Sequence, residues 1–393
     1  QFGYWAGQLG DGRAHTLGQF TNRNGEVWEL QLKGSGKTPY SRSGDGRAVV
    51  RSSVREFLCS EAMHFLGVPT SRAASLIVSD EPVLRDQFYD GSAVVLRVAR
   101  SWFRIGSLEI LSESGEFGLL RELMNFVIDE HFPSISSDDP DKYLVFYSTV
   151  VNETAHLIAR WTSVGFAHGV CNTDNFSLLS VTIDYGPFGF VESYDPSFVP
   201  NVSDDEGRYS IGAQAGVGLF NLGKLLAALR PVLTGEQQKE ILQLFRAKLG
   251  LLGEEEDDGF LIALLLKVRP ASRPPLVRSD RCWCLQLMED TRSDFTLTFR
   301  QLSEASAEQL HGQNFTQVRP DVTSGGGVNP RYVLRNWMAE SAVRKAERND
   351  FSEVALLHRT LSSPFVTQEA AEEAGYAAKP PAWARGLKVS CSS

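Results

Sequence analysis

The stretch His168-Gly-Val-Cys-Asn-Thr-Asp174-Asn175, followed by Thr182-Ile-Asp184-Tyr185-Gly186, decides the fold class that this chain is expected to adopt. Asn175 lies seven residues after His168. The residue two positions after His168 is Val170, which cannot accept a proton, and an acid stands instead at Asp174, beside Asn175. The polar side chains of this stretch are therefore the first candidates for a reactive site.

The spacing matches the catalytic loop of protein kinases, H-R-D-L-x-x-x-N, whose Asn binds a second metal ion. Asp184-Tyr185-Gly186 stands where a kinase has D-F-G, whose Asp holds Mg²⁺. The usual catalytic base is replaced by Val170. The pattern thus predicts the metal-binding half of a kinase site, Asn175 and Asp184, without the usual base. We assign His168 a structural role in the loop and not a catalytic one.

The composition is that of a folded protein. The 393 residues are 42% hydrophobic and 22% charged, which suits two or three domains with a large core. The net charge of −9 argues against a dedicated nucleic-acid binder, and no apolar run approaches the roughly 18 residues of a membrane span. The five Cys residues are too few and scattered for a disulfide framework, which favours a reducing compartment. Because the chain begins without Met in mid-pattern, we expect a fragment or a processed form.

A glycine-rich turn, Gly7-Gln-Leu-Gly10-Asp-Gly12-Arg13, precedes the first predicted strand. Glycines let backbone N–H groups approach phosphate oxygens, and Arg13 can add a bidentate contact, although G-D-G is also an ordinary hairpin turn. A strand is predicted over 26–33, with Lys33, Glu29 and Gln31 on the face opposite its apolar residues. A Lys that ends a short strand is more often solvated. In a kinase, however, the phosphate-pairing Lys also ends a strand that follows the glycine loop.

A helix is predicted over 50–66, where apolar residues recur at helical spacing. Glu56 on this helix is the candidate partner of Lys33, and an exposed helical Glu is the alternative. The short β-rich runs within 73–98 predict a small antiparallel sheet. Arg97 and Arg104 flank the expected hinge between two lobes, where guanidinium groups could bind a nucleotide tail or form surface ion pairs.

Beyond the hinge, helical periodicity covers 119–128 and 147–164, and an irregular loop is predicted over 187–210. The basic, Pro-rich stretch 267–285 is expected to be disordered. A last helix is predicted over 328–348, and the tail after Pro364 is expected to be loose apart from its end, 388–393. These patterns divide the chain into an N-lobe over 1–100, a C-lobe over 101–252, a partly disordered or truncated insertion over 253–327, and a C-terminal helical segment and tail over 328–393.

The motifs that occur together in this chain are specific: 3–13, 32–36, 38–48, 165–175, 184–190 and 329–336. On these motifs the chain resembles the selenoprotein O family, over roughly 1–265, 290–302 and 328–393. The resemblance implies an α+β, protein-kinase-like two-lobed fold with a C-terminal helical extension.

The resemblance also implies a reaction. Members of this family transfer AMP from ATP to Ser, Thr or Tyr hydroxyls of proteins, with the ATP flipped so that its α-phosphorus faces the acceptor and pyrophosphate leaves. Asp174 would be the proton acceptor, and Asn175 and Asp184 would hold a divalent metal ion, Mg²⁺ or Mn²⁺. The residues that would bind ATP are Gly10, Gly12, Arg13, Lys33 paired with Glu56, Asp45, Gly46, Arg97 and Arg104, together with Asp184.

Two alternatives stay open: a phosphotransferase of the protein-kinase type, and a catalytically inactive ATP-binding scaffold. The expected partners are ATP and protein substrates with accessible Ser, Thr or Tyr, with no nucleic acid and no membrane. The resemblance implies a mitochondrial location for a eukaryotic source and a cytoplasmic one for a bacterial source. Cys391 occupies the position at which vertebrate members have selenocysteine, and a free thiol on a flexible tail is the alternative to a redox role.

Overall fold

The computed structural model describes residues 10–85, 88–241, 278–304, 329–384 and 386–387. Within these ranges the protein is a mixture of α-helices and β-strands, and the strands of its main sheet all come before residue 100. None of the helices in the same ranges is both long and apolar enough to cross a membrane.

The main sheet has five strands, and every pairing in it is antiparallel. The strands are β1 (Ala14–Thr21), β2 (Val27–Lys33), β3 (Ala48–Val49), β4 (Arg72–Arg85) and β5 (Phe88–Ala99). Their order is β1-β2-β5-β3, and β4 also pairs with β5. The antiparallel pairing that was predicted within 73–98 is confirmed by β4 and β5, and the strand predicted over 26–33 is β2.

The register of β2 and β5 places three polar side chains on one face of the sheet. Gln31 is opposite Arg97, and Lys33 is opposite Val95. Because side chains alternate along a strand, Gln31, Lys33 and Arg97 point to the same side. Helix α1 (Val50–Phe65) packs against β4 and β5 and carries Glu56, which is 3% exposed.

The chain between residues 101 and 229 is mainly helical. It contains α2 (Ile105–Glu113), α3 (Phe117–His131), α4 (Lys142–Ser163) and α5 (Gln214–Leu229), whose apolar faces pack into one core. Between α4 and α5, the short strands β6 (Phe166–Ala167) and β7 (Gly189–Phe190) pair antiparallel. Since β6 ends just before His168 and β7 begins shortly after Gly186, this pairing fixes both ends of the predicted reactive stretch.

The remaining helices are α6 (Arg278–Thr291), α7 (Phe295–Glu304), α8 (Asn336–Ala346), α9 (Ser352–Leu361) and α10 (Glu369–Glu373). Helices α8 and α9 pack against α1. Part of this contact is a stacked pair of rings, Phe57 and His358, with centroids 5.4 Å apart. Residues near the end of the chain therefore brace the helix that carries Glu56.

The helix predicted over 328–348 begins only at Asn336, so this prediction was wrong at its start. Pro330 has no N–H group to donate, and the N–H groups of Arg331 and Tyr332 donate to the Pro364 carbonyl at 2.8 and 3.1 Å. These backbone groups are thus paired with a distant segment, and residues 329–335 stay outside the helix.

Two predictions of disorder were also wrong where the structure tests them. The tail after Pro364 forms α10 and buries Ala371 and Tyr376, which are 0% and 2% exposed. Residues 278–285 of the stretch expected to be disordered belong to α6, because Leu285 and Met288 pack with Phe295 in a small apolar cluster. The rest of that stretch, 267–277, lies outside the described residues.

Candidate active site

An ionic cluster lies where β2, α1 and the loop after Ile183 meet. The Lys33 Nζ atom is 2.8 Å from Glu56 Oε2 and 2.5 Å from Asp184 Oδ1. The side chains of Lys33 and Glu56 are only 7% and 5% exposed. The predicted pairing of Lys33 with Glu56 is therefore present, and Lys33 is buried instead of solvated.

Arg97 belongs to the same cluster. Its Nη1 atom is 3.1 Å from Asp184 Oδ1 and 3.3 Å from Glu56 Oε1, and its Nη2 donates to Gln31 Oε1. The guanidinium carbon lies 4.6 Å from the centroid of the Trp102 ring. The Arg97 side chain is only 1% exposed, and because it lies so close to Glu56 and Asp184, its charge offsets part of the cost of burying these carboxylates.

Arg104 links the glycine-rich turn to the segment that follows Asn175. The Arg104 Nη2 atom donates to both carboxylate oxygens of Asp11, at 3.0 and 3.1 Å. Backbone hydrogen bonds of 2.9 and 3.0 Å join residues 103–105 to residues 176–178. A continuous set of contacts thus runs from the predicted catalytic loop through Arg104 and Asp11 to the face of the sheet that carries Lys33.

Asp184 has an unusual backbone conformation and an unusual pKa. Its φ of 61° lies in the left-handed region, which residues with side chains other than Asn and Asp seldom adopt. Burial alone would raise the pKa of Asp184, but the charges of Lys33, Arg97 and Arg104 outweigh it and hold the pKa well below its ordinary value. Since 29% of the side chain is exposed, Asp184 is an ionised carboxylate with an open side.

The loop from His168 to Asn175 is held mainly by α5. The His168 N–H donates to Gln214 Oε1 at 2.9 Å, and Asn221 Nδ2 donates to the Cys171 carbonyl at 2.8 Å. The His168 ring donates from Nε2 to the Ile183 carbonyl at 2.9 Å. His168 therefore ties this loop to the residue before Asp184, which agrees with the structural role predicted for it.

Asp174 lies in a short 3₁₀ turn, 173–175, that contacts α2. Glu109 of α2 is 7% exposed, and burial is the main reason that its pKa is raised. The neighbouring Thr173 hydroxyl and the charge of Lys224 lower the pKa of Glu109, and the charge of Asp174 raises it. Asp174 thus lies within electrostatic reach of a buried acid that the sequence analysis did not single out.

Asn175 and Asp184 have the donor atoms that a hard divalent cation prefers. Asn175 Nδ2 donates to the Val170 carbonyl at 2.6 Å, so that Oδ1 is the end of the amide left to accept. In the part of the chain that the structure describes, no three His, Cys, Asp or Glu side chains converge on a metal site. Mg²⁺ is commonly held by one or two protein oxygens together with substrate phosphates. The residues present fit a cation of that kind.

The remaining predicted nucleotide-binding residues lie around this cluster. The Arg13 carbonyl accepts from the Gly34 N–H at 2.6 Å, next to Lys33. Arg13 also lines a cavity whose other walls are Lys33, Ala48, Arg51, Ser52, Ser53, Arg55, Glu56, Tyr185 and Gly186. Gly10 and Gly12 pack against the segment 38–41, and a Cβ at Gly10 would lie 2.3 Å from Cγ of Tyr40.

Asp45 and Gly46 are not in direct contact with the cluster. Asp45 accepts two hydrogen bonds of 2.8 Å from Arg85, and these lower its pKa to about 2. The Gly46 carbonyl accepts from the Gly36 N–H at 3.0 Å, three residues beyond Lys33. The structure thus joins Lys33, Glu56, Arg97 and Asp184 directly and Arg104 through Asp11, whereas Asp45 and Gly46 are connected to them through the loop after β2.

Two members of the cluster were missed by the sequence analysis, Asp11 and Gln31. Asp11 lies inside the glycine-rich turn, and its Oδ2 atom accepts from Gln31 Nε2 at 3.1 Å. Gln31 was placed on the same face as Lys33 by strand alternation, which was a usable signal. Asp11 offered no such signal, because its partner Arg104 is 93 residues away in the chain.

The sequence of the chain is similar to those of known proteins. A family model described as "Protein adenylyltransferase SelO" matches residues 1–324. The "Protein nucleotidyltransferase YdiU" of Burkholderia lata is 43% identical over 446 aligned positions, which cover 100% of this chain and 81% of that protein. The protein of the same name from Burkholderia multivorans is 42% identical over the same extents. The class of protein is thus a nucleotidyltransferase, and the chain belongs to the SelO family.

Proposed function

We propose that this chain is a protein adenylyltransferase that transfers AMP from ATP to Ser, Thr or Tyr hydroxyls of proteins and releases pyrophosphate. The observation that carries the proposal is the buried cluster of Lys33, Glu56 and Asp184 beside a catalytic loop that has Val170 at the position of a kinase base. The names of the family and of the two relatives support the same reaction class.

The proposed fold is kinase-like, with an N-lobe over 1–100, a C-lobe over 101–252, an insertion over 253–327 and a C-terminal helical extension over 328–393. The sheet and α1 before residue 101 and the helices α2 to α5 after it support the first boundary. The position of Arg104, which contacts both the glycine-rich turn and the helical part, supports a cleft between the two lobes.

The nucleotide is proposed to bind through the cations of the cluster and the loops beside them. Lys33, Arg97 and Arg104 are buried and already oriented by carboxylates. Phosphate oxygens would therefore bind cationic side chains whose ordering costs little further free energy. The turns that contain Gly10, Gly12 and Gly46 would bring backbone N–H groups to the ligand, and Arg13 and Asp45 would add polar contacts. Glu56 would hold Lys33 in place.

Asn175 and Asp184 are proposed to hold Mg²⁺ or Mn²⁺. A bound cation would neutralise charge on the phosphate oxygens and help to align the α-phosphorus. Both contacts of Asp184 with Lys33 and Arg97 are made by Oδ1, which leaves Oδ2 for this purpose. The low pKa of Asp184 keeps it in the charged form that such a role requires.

Asp174 is proposed to take the proton of the acceptor hydroxyl. As the hydroxyl oxygen bonds to the α-phosphorus, the bond from that phosphorus to the oxygen that bridges to the β-phosphate breaks, and pyrophosphate leaves. Val170 cannot take the proton, and Asp174 is the acid next to Asn175 in the same loop. The rest of the rate enhancement would come from alignment and charge neutralisation.

The test is to incubate the full chain with ATP labelled on the α-phosphate and, in parallel, with ATP labelled on the γ-phosphate. We expect protein-bound label from the α-phosphate only, and mass spectrometry should show adenylate on a Ser, Thr or Tyr. Asp184→Asn should abolish the labelling without unfolding the chain, because Asn tolerates the left-handed backbone of this position.

Glu372→Gln serves as the control, because it alters a carboxylate paired with Arg331 outside the cluster and should leave labelling intact. Transfer of the γ-label would identify a phosphotransferase and overturn the proposal. No transfer from either position, by a chain that binds ATP, would instead identify an inactive scaffold.

A further inference from the structure

Asp11 is an acid in a place where the proposed function needs positive charge. Its carboxylate accepts from Arg104 Nη2 at 3.0 and 3.1 Å and from Gln31 Nε2 at 3.1 Å. The nearest Arg97 nitrogen, Nη2, lies 3.8 Å from Asp11 Oδ1. Asp11 thus stands between the two arginines that are proposed to bind the phosphates of ATP.

The backbone around Asp11 is anchored independently of this carboxylate. The Thr38 hydroxyl donates to the Asp11 carbonyl at 2.8 Å, and the Ser41 hydroxyl donates to the Gly12 carbonyl. The ring of Tyr40 fills the space beside Gly10 that a side chain would need. The backbone that carries the Asp11 carboxylate is therefore held by the segment 38–41, independently of the arginines.

The contacts of Asp11 use only one side of the Arg104 guanidinium. Both carboxylate oxygens bind Nη2, and Arg104 Nε has no hydrogen-bond partner within the described residues, although it is buried. Arg97 shows the same pattern, because its Nη atoms are engaged while its Nε lacks a partner in that part of the chain. Each guanidinium is fixed by acceptors on one side and keeps donor capacity on another.

We propose that Asp11 is a positioning residue, which orients the guanidinium groups of Arg104 and, through Gln31, of Arg97 for the phosphate tail of the nucleotide. This inference rests on the proposed function, since it assumes that these arginines bind ATP. Asp11 itself does not bind the phosphates, because a carboxylate and a phosphate repel each other. Its place in a turn that is anchored by 38–41 gives the arginines a fixed reference point.

A competing role for Asp11 predicts the opposite effect on affinity. If the carboxylate were only a counter-ion that the nucleotide displaces, removing its charge would strengthen ATP binding. If it orients the arginines, moving it by one methylene would weaken ATP binding even though the charge is kept. Asp11→Glu and Asp11→Asn separate the two roles, since the first keeps the charge and the second keeps the shape and an acceptor oxygen.

The experiment measures the binding of ATP and of adenosine to the full chain by calorimetry, and the KM and kcat of AMP transfer. We expect Asp11→Glu to weaken ATP binding by about tenfold, the effect of losing one charge-assisted hydrogen bond. Asp11→Asn should weaken ATP binding much less, because Asn keeps an acceptor oxygen in the same place. Adenosine binding should be unchanged in both variants, and KM for ATP should change more than kcat.

Glu372→Asp is the matched control, because it also shifts an arginine-paired carboxylate by one methylene and should leave ATP binding unchanged. Unchanged ATP binding by Asp11→Glu, or tighter binding by Asp11→Asn, would overturn the positioning role. A chain that binds ATP and responds to Asp11→Glu as expected, but transfers the γ-label, would refute the proposed function and leave the role of Asp11 standing. Wild-type chain that bound no ATP would overturn both.

Discussion

Two buried arginines, Arg97 and Arg335, each lie between two carboxylates, but the two clusters differ in the number of cations that lie beside these acids. Arg97 contacts Glu56 and Asp184 at 3.3 and 3.1 Å, and Lys33 contacts the same two acids. Arg335 contacts Asp294 at 2.9 Å and Glu192 at 3.4 Å. Both guanidinium groups are almost fully buried, with side chains 1% and 3% exposed.

The difference is visible in the pKa values of the acids. In the first cluster, burial would raise the pKa of Asp184, but Lys33, Arg97 and Arg104 together hold it well below its ordinary value. In the second, burial raises the pKa of Glu192 to about 7, since the charge of Arg335 is offset by the neighbouring Asp294. One arginine shared by two acids does not compensate for the burial of Glu192.

The comparison teaches that the number of cations available to the acids, and not the buried ion pair, distinguishes the candidate active site. The first cluster has as many cations as acids, namely Lys33, Arg97 and Arg104 beside Glu56, Asp184 and Asp11, whereas the second has one arginine for two acids. An anionic ligand such as a triphosphate would therefore meet a formally neutral cluster at the first site and a net negative one at the second. The contacts of Arg335 connect separate segments of the chain, and its role is structural.

The largest expected effect is the loss of AMP-transfer activity in the variant Lys33→Met. The variant should lose about 10²- to 10³-fold in kcat/KM for AMP transfer, because it removes a preorganised charge aimed at the phosphates. The fold should persist, since Arg97 still contacts both Glu56 and Asp184. Steady-state kinetics and a thermal melt provide the two readings, and retention of more than about a tenth of the activity would contradict the role of Lys33.

The second effect concerns Arg335→Met, which should leave activity per folded molecule largely intact but destabilise the chain. Asp294 and Glu192 would lose their shared cation, and such a loss typically costs about 3–5 kcal/mol in the free energy of unfolding. Urea unfolding measures this loss. Adding Asp294→Asn should recover part of it, because Asn keeps an acceptor for the Leu297 N–H. A variant as stable as the wild type would show that the cluster is not structural.

The smallest effect is expected from Glu192→Gln, and it depends on pH. The pKa of Glu192 is raised from 4.5 to about 7 in the folded chain, so that the folded state binds a proton more tightly than the unfolded state. The stability contributed by this group is therefore present below pH 4.5 and is lost as the pH rises toward 7. Gln removes this dependence and should stabilise the chain at about pH 8 by less than about 3 kcal/mol. Urea unfolding of the wild type and of the variant at about pH 5 and about pH 8 measures this difference. If the free energy of unfolding depended on pH equally in both proteins, the prediction would be refuted.

Much of the fold and part of the site could be predicted from sequence patterns. Strand alternation placed Gln31 and Lys33 on one face, and helical spacing placed Glu56 on α1. The contact between Lys33 and Glu56 was then shown by the structure. Residue type alone predicts a solvated Lys33, because lysines are ordinarily exposed. The motif around Lys33 predicted its pairing with Glu56, and this prediction was correct.

The rest could not be predicted, because it depends on contacts between distant segments. The pairing of Asp45 with Arg85 and of Asp11 with Arg104 joins distant segments that no periodicity relates. The start of α8 at Asn336 depends on hydrogen bonds from Arg331 and Tyr332 to the Pro364 carbonyl, which lies 33 and 32 residues further along the chain. Local patterns carry no information about such partners.

The side chain of Asn336 hydrogen-bonds to both backbone groups of Phe190, accepting from its N–H at 3.1 Å and donating to its carbonyl at 2.9 Å. Since β7 and α1 both depend on this late segment, the order of synthesis matters. A nascent chain on the ribosome holds all the residues of the cleft well before Asn336 emerges. We expect stalled chains that end before residue 329 to lack AMP transfer and to gain it when 329–361 is supplied. Translation would in that case keep the enzyme inactive until the segment 329–361 has left the ribosome. Activity in the stalled chains would disprove this.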